Sequence, residues 1–140
     1  MFKSICILII LTFITQGLSA QSLIIRLPEP ASTEGSFMVG VYTEKDNFPD
    51  EPSIPKKINV DNDFNRIIEL KNLSKGTYAV SVYHDVNENG KLDRNLLGIP
   101  REPFAFSNMK TMGMGPPKFK DTSFRFDKQT KKITLHWLNN

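Results

Sequence analysis

The chain has 140 residues, 39% of them hydrophobic and 24% charged, with 18 basic residues against 15 acidic ones. Setting Lys3 aside with the leader described below leaves 17 against 15, a net charge of +2, and the remaining Lys and Arg residues are scattered. This excludes the concentrated basic face that a nucleic-acid binder needs, while the length suits one domain with a core of its own. The nearest thing to a patch is Lys118 and Lys120 followed by Lys128, Lys131 and Lys132. Lysines on strand edges, where they discourage edge-to-edge pairing, explain that run better.

Residues 1–20 read as a secretory leader. Lys3 supplies the positive start, Ile5 to Ile14 form an apolar run, and Leu18-Ser19-Ala20 offers a cleavage point before Gln21. The alternative is an uncleaved anchor, but the run falls short of the roughly 20 apolar residues of a spanning helix. The expected location is therefore periplasmic or secreted. No transmembrane segment is expected after Gln21. The one cysteine, Cys6, lies inside the leader and away from its cleavage point, where a lipoprotein signal would need it. The mature domain, residues 21–140, then has no disulfide, no thiol nucleophile and no zinc–thiolate site.

No long segment after Gln21 shows helical periodicity; short strand-like runs separated by turn residues appear instead. Ser22 to Leu27 is β-branched and ends at Pro28-Glu29-Pro30. Ser36 to Thr43 alternates, with Phe37, Val39 and Val41 on one face and Met38, Gly40 and Tyr42 on the other. The segment from Lys45 to Lys57 carries Pro49, Pro52 and Pro55, so it reads as a surface loop or an edge segment. Phe64 to Leu70 is the next strand. Thr77 to His84 is the strongest, with Tyr78, Val80 and Val82 opposed to Ala79, Ser81 and Tyr83. Leu96 to Ile99 is a candidate brief strand before the Gly-, Pro- and Met-rich stretch from Pro100 to Lys118. Thr122 to Phe126 and Lys131 to Trp137 close the chain as a hairpin or as neighbours. About seven strands at this spacing predict an all-β, antiparallel two-sheet sandwich, with a small closed barrel as the competing architecture. Leu73 and Gly76 followed by Tyr78 fit a tyrosine corner of such a sandwich.

The segment Asp85-Val86-Asn87-Glu88-Asn89-Gly90-Lys91-Leu92-Asp93 carries the sharpest chemical hint. Side-chain oxygens at positions one, three, five and nine, with glycine at six, match the spacing of a calcium loop. Asp85, Asn87, Asn89 and Asp93 would ligate through side chains and Lys91 through its carbonyl. Leu96 stands where a bidentate Glu would close the shell, so the fit is partial; Glu88 points outward by spacing, and Glu102 or Asp121 could return to complete the set. Two readings stay open: a weak structural Ca²⁺ site, or an Asn-Gly turn whose side chains bond backbone amides.

His84 beside Asp85 invites a hydrolase reading, but adjacent strand residues project to opposite faces, and no nucleophile context accompanies them. His136 reads as an ordinary strand histidine. Phe104, Phe106, Ser107 and Asn108 with Met109, Met112 and Met114 are open to three readings: cover for one end of the core, a partner or small-ligand surface, or thioether ligands for Cu(I). His84, Glu102, Phe104, Phe106, Ser107 and Asn108 together form the candidate partner surface.

His84-Asp85-x-Asn87-x-Asn89-Gly90-Lys91-Leu92-Asp93, then Leu97-Gly98-Ile99-Pro100-x-Glu102, Phe106-Ser107-Asn108 and Gly115-Pro116-Pro117-x-Phe119 with Phe124, carry a resemblance. The chain resembles the exported bacterial proteins of the domain of unknown function 2141 (DUF2141), from about its second strand to its end. The resemblance implies a small exported sandwich and no established activity. The expected function is a non-enzymatic binding or structural module, whose partner is an extracytoplasmic protein, a glycan or a small ligand.

Overall fold

The computed structural model describes residues 21–138 apart from 62, 63, 114 and 128; the expected leader and Met114 lie outside the described residues. Eight strands and one helical turn follow in chain order. They are β1 (Ser22–Arg26), β2 (Ser36–Thr43), β3 (Ile54–Asn59), β4 (Ile67–Lys71), β5 (Gly76–Asp85), β6 (Phe104–Phe106), α1 (Phe119–Thr122), β7 (Phe124–Phe126) and β8 (Thr130–Thr134). The strands form two open sheets, not a closed barrel. One has three strands in the order β4-β1-β8, and the other has five in the order β3-β2-β5-β6, with β7 also on β5.

The alternation in β2 and β5 sets the core. Phe37, Val39 and Val41 of β2 sit with Tyr78, Val80 and Val82 of β5 in one buried cluster, which Leu23 and Ile25 of β1 and Ile68 and Leu70 of β4 complete from the other sheet. The two strands pair antiparallel over Ser36↔Asp85 to Thr43↔Tyr78, so their inner residues are cross-strand neighbours. Tyr78 does form the expected corner. Its hydroxyl donates to the Ser74 carbonyl at 2.9 Å, four residues upstream, while its ring sits edge-on to Phe126 at 6.2 Å. β3 is an edge strand, which is where Pro55 is tolerated.

Three expectations need correction. Thr122 to Phe126 and Lys131 to Trp137 do not make a hairpin, because β7 pairs with β5 in one sheet and β8 with β1 in the other. The β1–β8 pairing is parallel, so the smaller sheet is mixed. The reason is that Phe124 and Phe126 belong to the core shared with β5, while β8 starts at Thr130 in the second sheet. Leu96 to Ile99 is not a strand but the tip of a turn, closed at its base by the bridge between Arg94 and Pro100.

β6 and β7 share one edge of β5. β6 covers Ser81 to Tyr83 and β7 covers Gly76 to Tyr78. Ser107 fills the gap. Its N–H donates to the Val80 carbonyl at 2.8 Å, its Oγ accepts the Val80 N–H at 2.9 Å and donates to the Thr122 carbonyl at 2.6 Å. One buried side chain thus continues the ladder and ties both ends of the segment between β6 and β7.

Candidate functional site

The Asp85–Asp93 loop leaves β5 and is ordered by its own polar groups. Asp85 is fully buried; its Oδ1 accepts the Asn89 N–H at 3.1 Å and its Oδ2 the Gly90 N–H at 2.7 Å. Asn87 Oδ1 accepts the Asn89 N–H at 3.2 Å, and Asn89 Oδ1 accepts the Lys91 N–H at 2.8 Å. The two side-chain amides converge on Asp93: Asn87 Nδ2 donates to it at 2.7 Å and Asn89 Nδ2 at 2.9 Å. Glu102 does return to this loop. Its carboxylate accepts the Val86 N–H at 3.1 Å and the Asp93 N–H at 3.0 Å, so one side chain joins the start of the loop to its end. Burial raises the Glu102 pKa; the two amide bonds pull against that, and the carboxylates of Asp85 and Asp93 add to the rise. Glu88 points away from the ligand set, as its spacing implies: its Oε1 accepts the Ser36 hydroxyl at 2.9 Å and faces Lys57 at 3.6 Å. Among the described residues, no three His, Cys, Asp or Glu side chains stand together as a metal site.

His84 does not reach an accessible surface. The ring is fully buried, edge-on to Phe37 at 4.9 Å. Ala31 N–H donates to its Nδ1 at 3.2 Å, which leaves Nε2 as the protonated nitrogen that donates to the Glu34 carbonyl at 2.7 Å. Both nitrogens are thus spent on clamping the segment before β2. This removes the geometric basis for a His84–Asp85 hydrolase site and takes His84 off the candidate partner surface. Glu102 and Ser107 leave it for the same reason, being buried and bonded to backbone. Asn108 is exposed, but its amide donates to the Ser123 carbonyl at 2.5 Å, so it too fastens the loop.

Phe104 and Phe106 have a different fate. They project from the outer face of the five-stranded sheet with Met38, Gly40 and Tyr42 of β2 and with Ser81 and Tyr83 of β5, and together line a groove of about 580 Å³. Pro49, Asp50 and Pro52 form one wall, Pro55, Lys56 and Lys57 a second, and Lys91, Leu92 and Arg94 a third. Lys91 thus lines one wall of the groove. Met112 does not line the groove; it lies exposed on the loop after β6.

Tyr42 explains why the groove is open on the sheet yet closed at one end. Its ring lies over Gly40, where an added Cβ would come within 2.8 Å of ring carbons. Tyr42 Oη donates to the Pro49 carbonyl at 2.7 Å and lies 3.0 Å from Ser81 Oγ. Phe48 then stacks edge-on over Tyr42 at 4.9 Å and reaches Phe106 at 5.7 Å and Phe119 at 6.0 Å. Aromatic rings thereby cap one end of the outer face, and the part beyond Gly40 lines the groove. Burial raises the Tyr42 pKa, against the hydrogen bond from Ser81. Burial also raises that of Tyr83, with Asp85 and Glu102 adding to it. Both hydroxyls stay neutral donors through the ordinary pH range.

The family model for an uncharacterized protein conserved in bacteria, DUF2141, matches residues 25–134. The chain belongs to the DUF2141 family. No curated protein and no solved structure matches it. The matched span runs from within β1 to the end of β8, so the Asp85–Asp93 loop and the groove both lie inside the DUF2141 region.

Most groove residues belong to no sequence motif, but the two longest strands carry a signal for them. Met38 and Tyr42 in β2, and Ala79 and Tyr83 in β5, make the outward face of both strands nearly as apolar as the inward one. A strand apolar on both faces is covered on both faces or carries a ligand on one. Leu92 and Arg94 had no such signal, since a loop's wall position is set only by where the loop lies.

Proposed function

We propose that the chain is an exported β-sandwich of the immunoglobulin or transthyretin kind, acting as a non-enzymatic module that binds a small ligand in the outer-face groove. The groove itself carries this reading. Its volume falls within the roughly 300–1,000 Å³ of small-molecule clefts, and Phe104, Phe106, Met38 and Leu92 give it an apolar lining with a few polar groups to set orientation. Lys56, Lys57, Lys91 and Arg94 outnumber Asp50 along its walls, which favours a ligand with a negative end. Export rests on the leader, and N-terminal sequencing of protein recovered outside the cytoplasm should begin at Gln21.

Binding is tested with the anionic amphiphile anilinonaphthalene sulfonate. The expected result is saturable binding that weakens about tenfold or more, or about 1.4 kcal/mol, in Met38→Trp, which fills the floor, and in Lys91→Glu, which reverses a wall charge. Melting temperatures should stay near that of the parent, because both side chains face outward. Binding that ignores both substitutions would sink the groove reading.

A second proposal attaches to the Asp85–Asp93 loop: it takes calcium weakly. Supporting it, the side chains of Asn87, Asn89 and Asp93 already converge on one spot. An ion there must turn both amides and break their backbone bonds, which places the affinity in the millimolar range of extracellular modules. At a tenfold excess over such a Kd, calcium adds about 1.4 kcal/mol to stability. A calcium-specific rise in Tm that disappears in Asp93→Asn is the expected outcome; an unmoved Tm rejects the site.

A further inference from the structure

We infer that the turn from Arg94 to Pro100 is a membrane-docking tip that inserts Leu96, Leu97 and Ile99 into the surface of a bilayer bearing anionic headgroups. The first observation is exposure. Leu96 is 104% exposed, Leu97 84% and Ile99 56%, whereas the buried apolar residues of the strands sit in the core or under the aromatic cap. Isolated exposed apolar side chains are ordinary. Three of them within four positions, at the end of one projection, form a patch that water does not favour.

The second observation is the backbone beneath them. Asn95 Oδ1 accepts the Leu97 N–H at 2.9 Å and the Ile99 N–H at 3.0 Å, its own N–H donates to the Ile99 carbonyl at 2.9 Å, and its carbonyl accepts the Gly98 N–H at 2.9 Å. Arg94 Nη1 closes the set by donating to the Gly98 carbonyl at 3.2 Å. A segment entering a bilayer loses water as a hydrogen-bond partner, so its peptide groups have to be satisfied from within. Asn95 and Arg94 do this for the N–H groups of Leu97, Gly98 and Ile99 and for the carbonyls of Gly98 and Ile99, and Gly98 takes the positive φ of 78° that the turn requires. The result is a rigid convex wedge with its apolar side chains outward.

Charge selects the occupant. Lys91, Arg94 and Arg101 flank the tip and are exposed, while the nearby acids are engaged: Asp93 by the two Asn amides, and Glu102 buried against backbone N–H groups. A cationic collar behind apolar prongs complements an anionic lipid surface, where basic residues supplement insertion energy. A convex tip also suits a fluid interface that can close around it, whereas a protein partner would need a matching pocket. The same loop supplies Lys91, Leu92 and Arg94 to the groove, so docking brings the groove wall to the membrane.

The test is vesicle co-sedimentation of the chain from Gln21 onward, which holds every described element. Vesicles of phosphatidylcholine alone are compared with vesicles also containing phosphatidylglycerol. The expected result is binding to the anionic vesicles, weakened by salt because the collar is exposed. Leu96→Ser with Leu97→Ser should reduce it about tenfold or more with an unchanged Tm, since neither residue is in the core, and Arg101→Glu should reduce it less. In Leu97→Trp, indole emission should shift to the blue on adding anionic vesicles. Binding that survives the Leu96/Leu97 double change, or absence of binding to either vesicle, overturns the inference. Equal binding to uncharged vesicles overturns the headgroup assignment. A concentration-dependent dimer that the double change abolishes, without vesicle binding, makes the tip a contact between copies instead. The groove substitution Met38→Trp lies outside the tip and its cationic collar and reports separately through probe binding, so failure of either proposal leaves the other readable.

Discussion

Gly35→Ala is expected to lower the stability of the fold by about 3–5 kcal/mol, the sum of a strained backbone and an overpacked contact. Gly35 has φ of 80°, in the region that L side chains avoid. An added Cβ would also overlap the Asp85 carbonyl oxygen and come within 2.6 Å of Val86 Cα. Those atoms are backbone at the end of β5, and they cannot give way without shifting the root of the Asp85–Asp93 loop. Gly98→Ala is the internal control. Its φ is 78°, but no atom lies within 4 Å of the added carbon, so only the backbone cost of about 1–2 kcal/mol should appear. Chemical denaturation of both variants separates the two contributions. Equal losses would mean that the close approach of Gly35 to Asp85 carries nothing.

Asp85→Ala should cost about 2–5 kcal/mol, because it leaves the Asn89 and Gly90 N–H groups without their buried carboxylate acceptor. Asp85→Asn keeps one acceptor oxygen and removes the other, so an intermediate loss is expected. Both losses should be present in chelator. Calcium then has a separate signature, a Tm increment on top of the parent value that neither variant shows. A denaturation midpoint unchanged in Asp85→Ala would show that the loop is held by Glu102 and the asparagine amides alone.

The strands that could be read from the sequence are those with one clear period. β2 and β5 alternate over eight and ten residues, and their inner residues do fill the core. Tyr78 was legible because its corner is a local device, spanning only the four residues back to Ser74. Pro55 announced an edge strand through chemistry carried by a single residue. Residues whose role depends on a distant partner were not legible. His84 looked like a neighbour of Asp85, yet its ring answers to Ala31 and Glu34, some fifty positions away. Ser107 and Asn108 read as a partner surface because they continue the aromatic run from Phe104 to Phe106 in a Gly- and Pro-rich loop; their bonds to Val80, Thr122 and Ser123 make them fasteners. Leu96 to Ile99 looked like a strand because four residues with three apolar ones suit a brief strand as well as a tip.

By itself the sequence determined what local chemistry can determine: the all-β class from strand-length periods and turn residues, the family from its loop motifs, and a polar loop from Asp85 to Asp93. Tertiary structure decided where β7 and β8 go, since two short strands pair with whichever edge their buried side chains can reach. It also decided that the outer faces of β2 and β5 meet β6 and two loops around a groove, because a strand's period says which residues share a face and not what covers it. The leucine tip follows the same physics. Apolar residues in a turn become a surface only when the core has no room for them and Asn95 holds the backbone that points them outward.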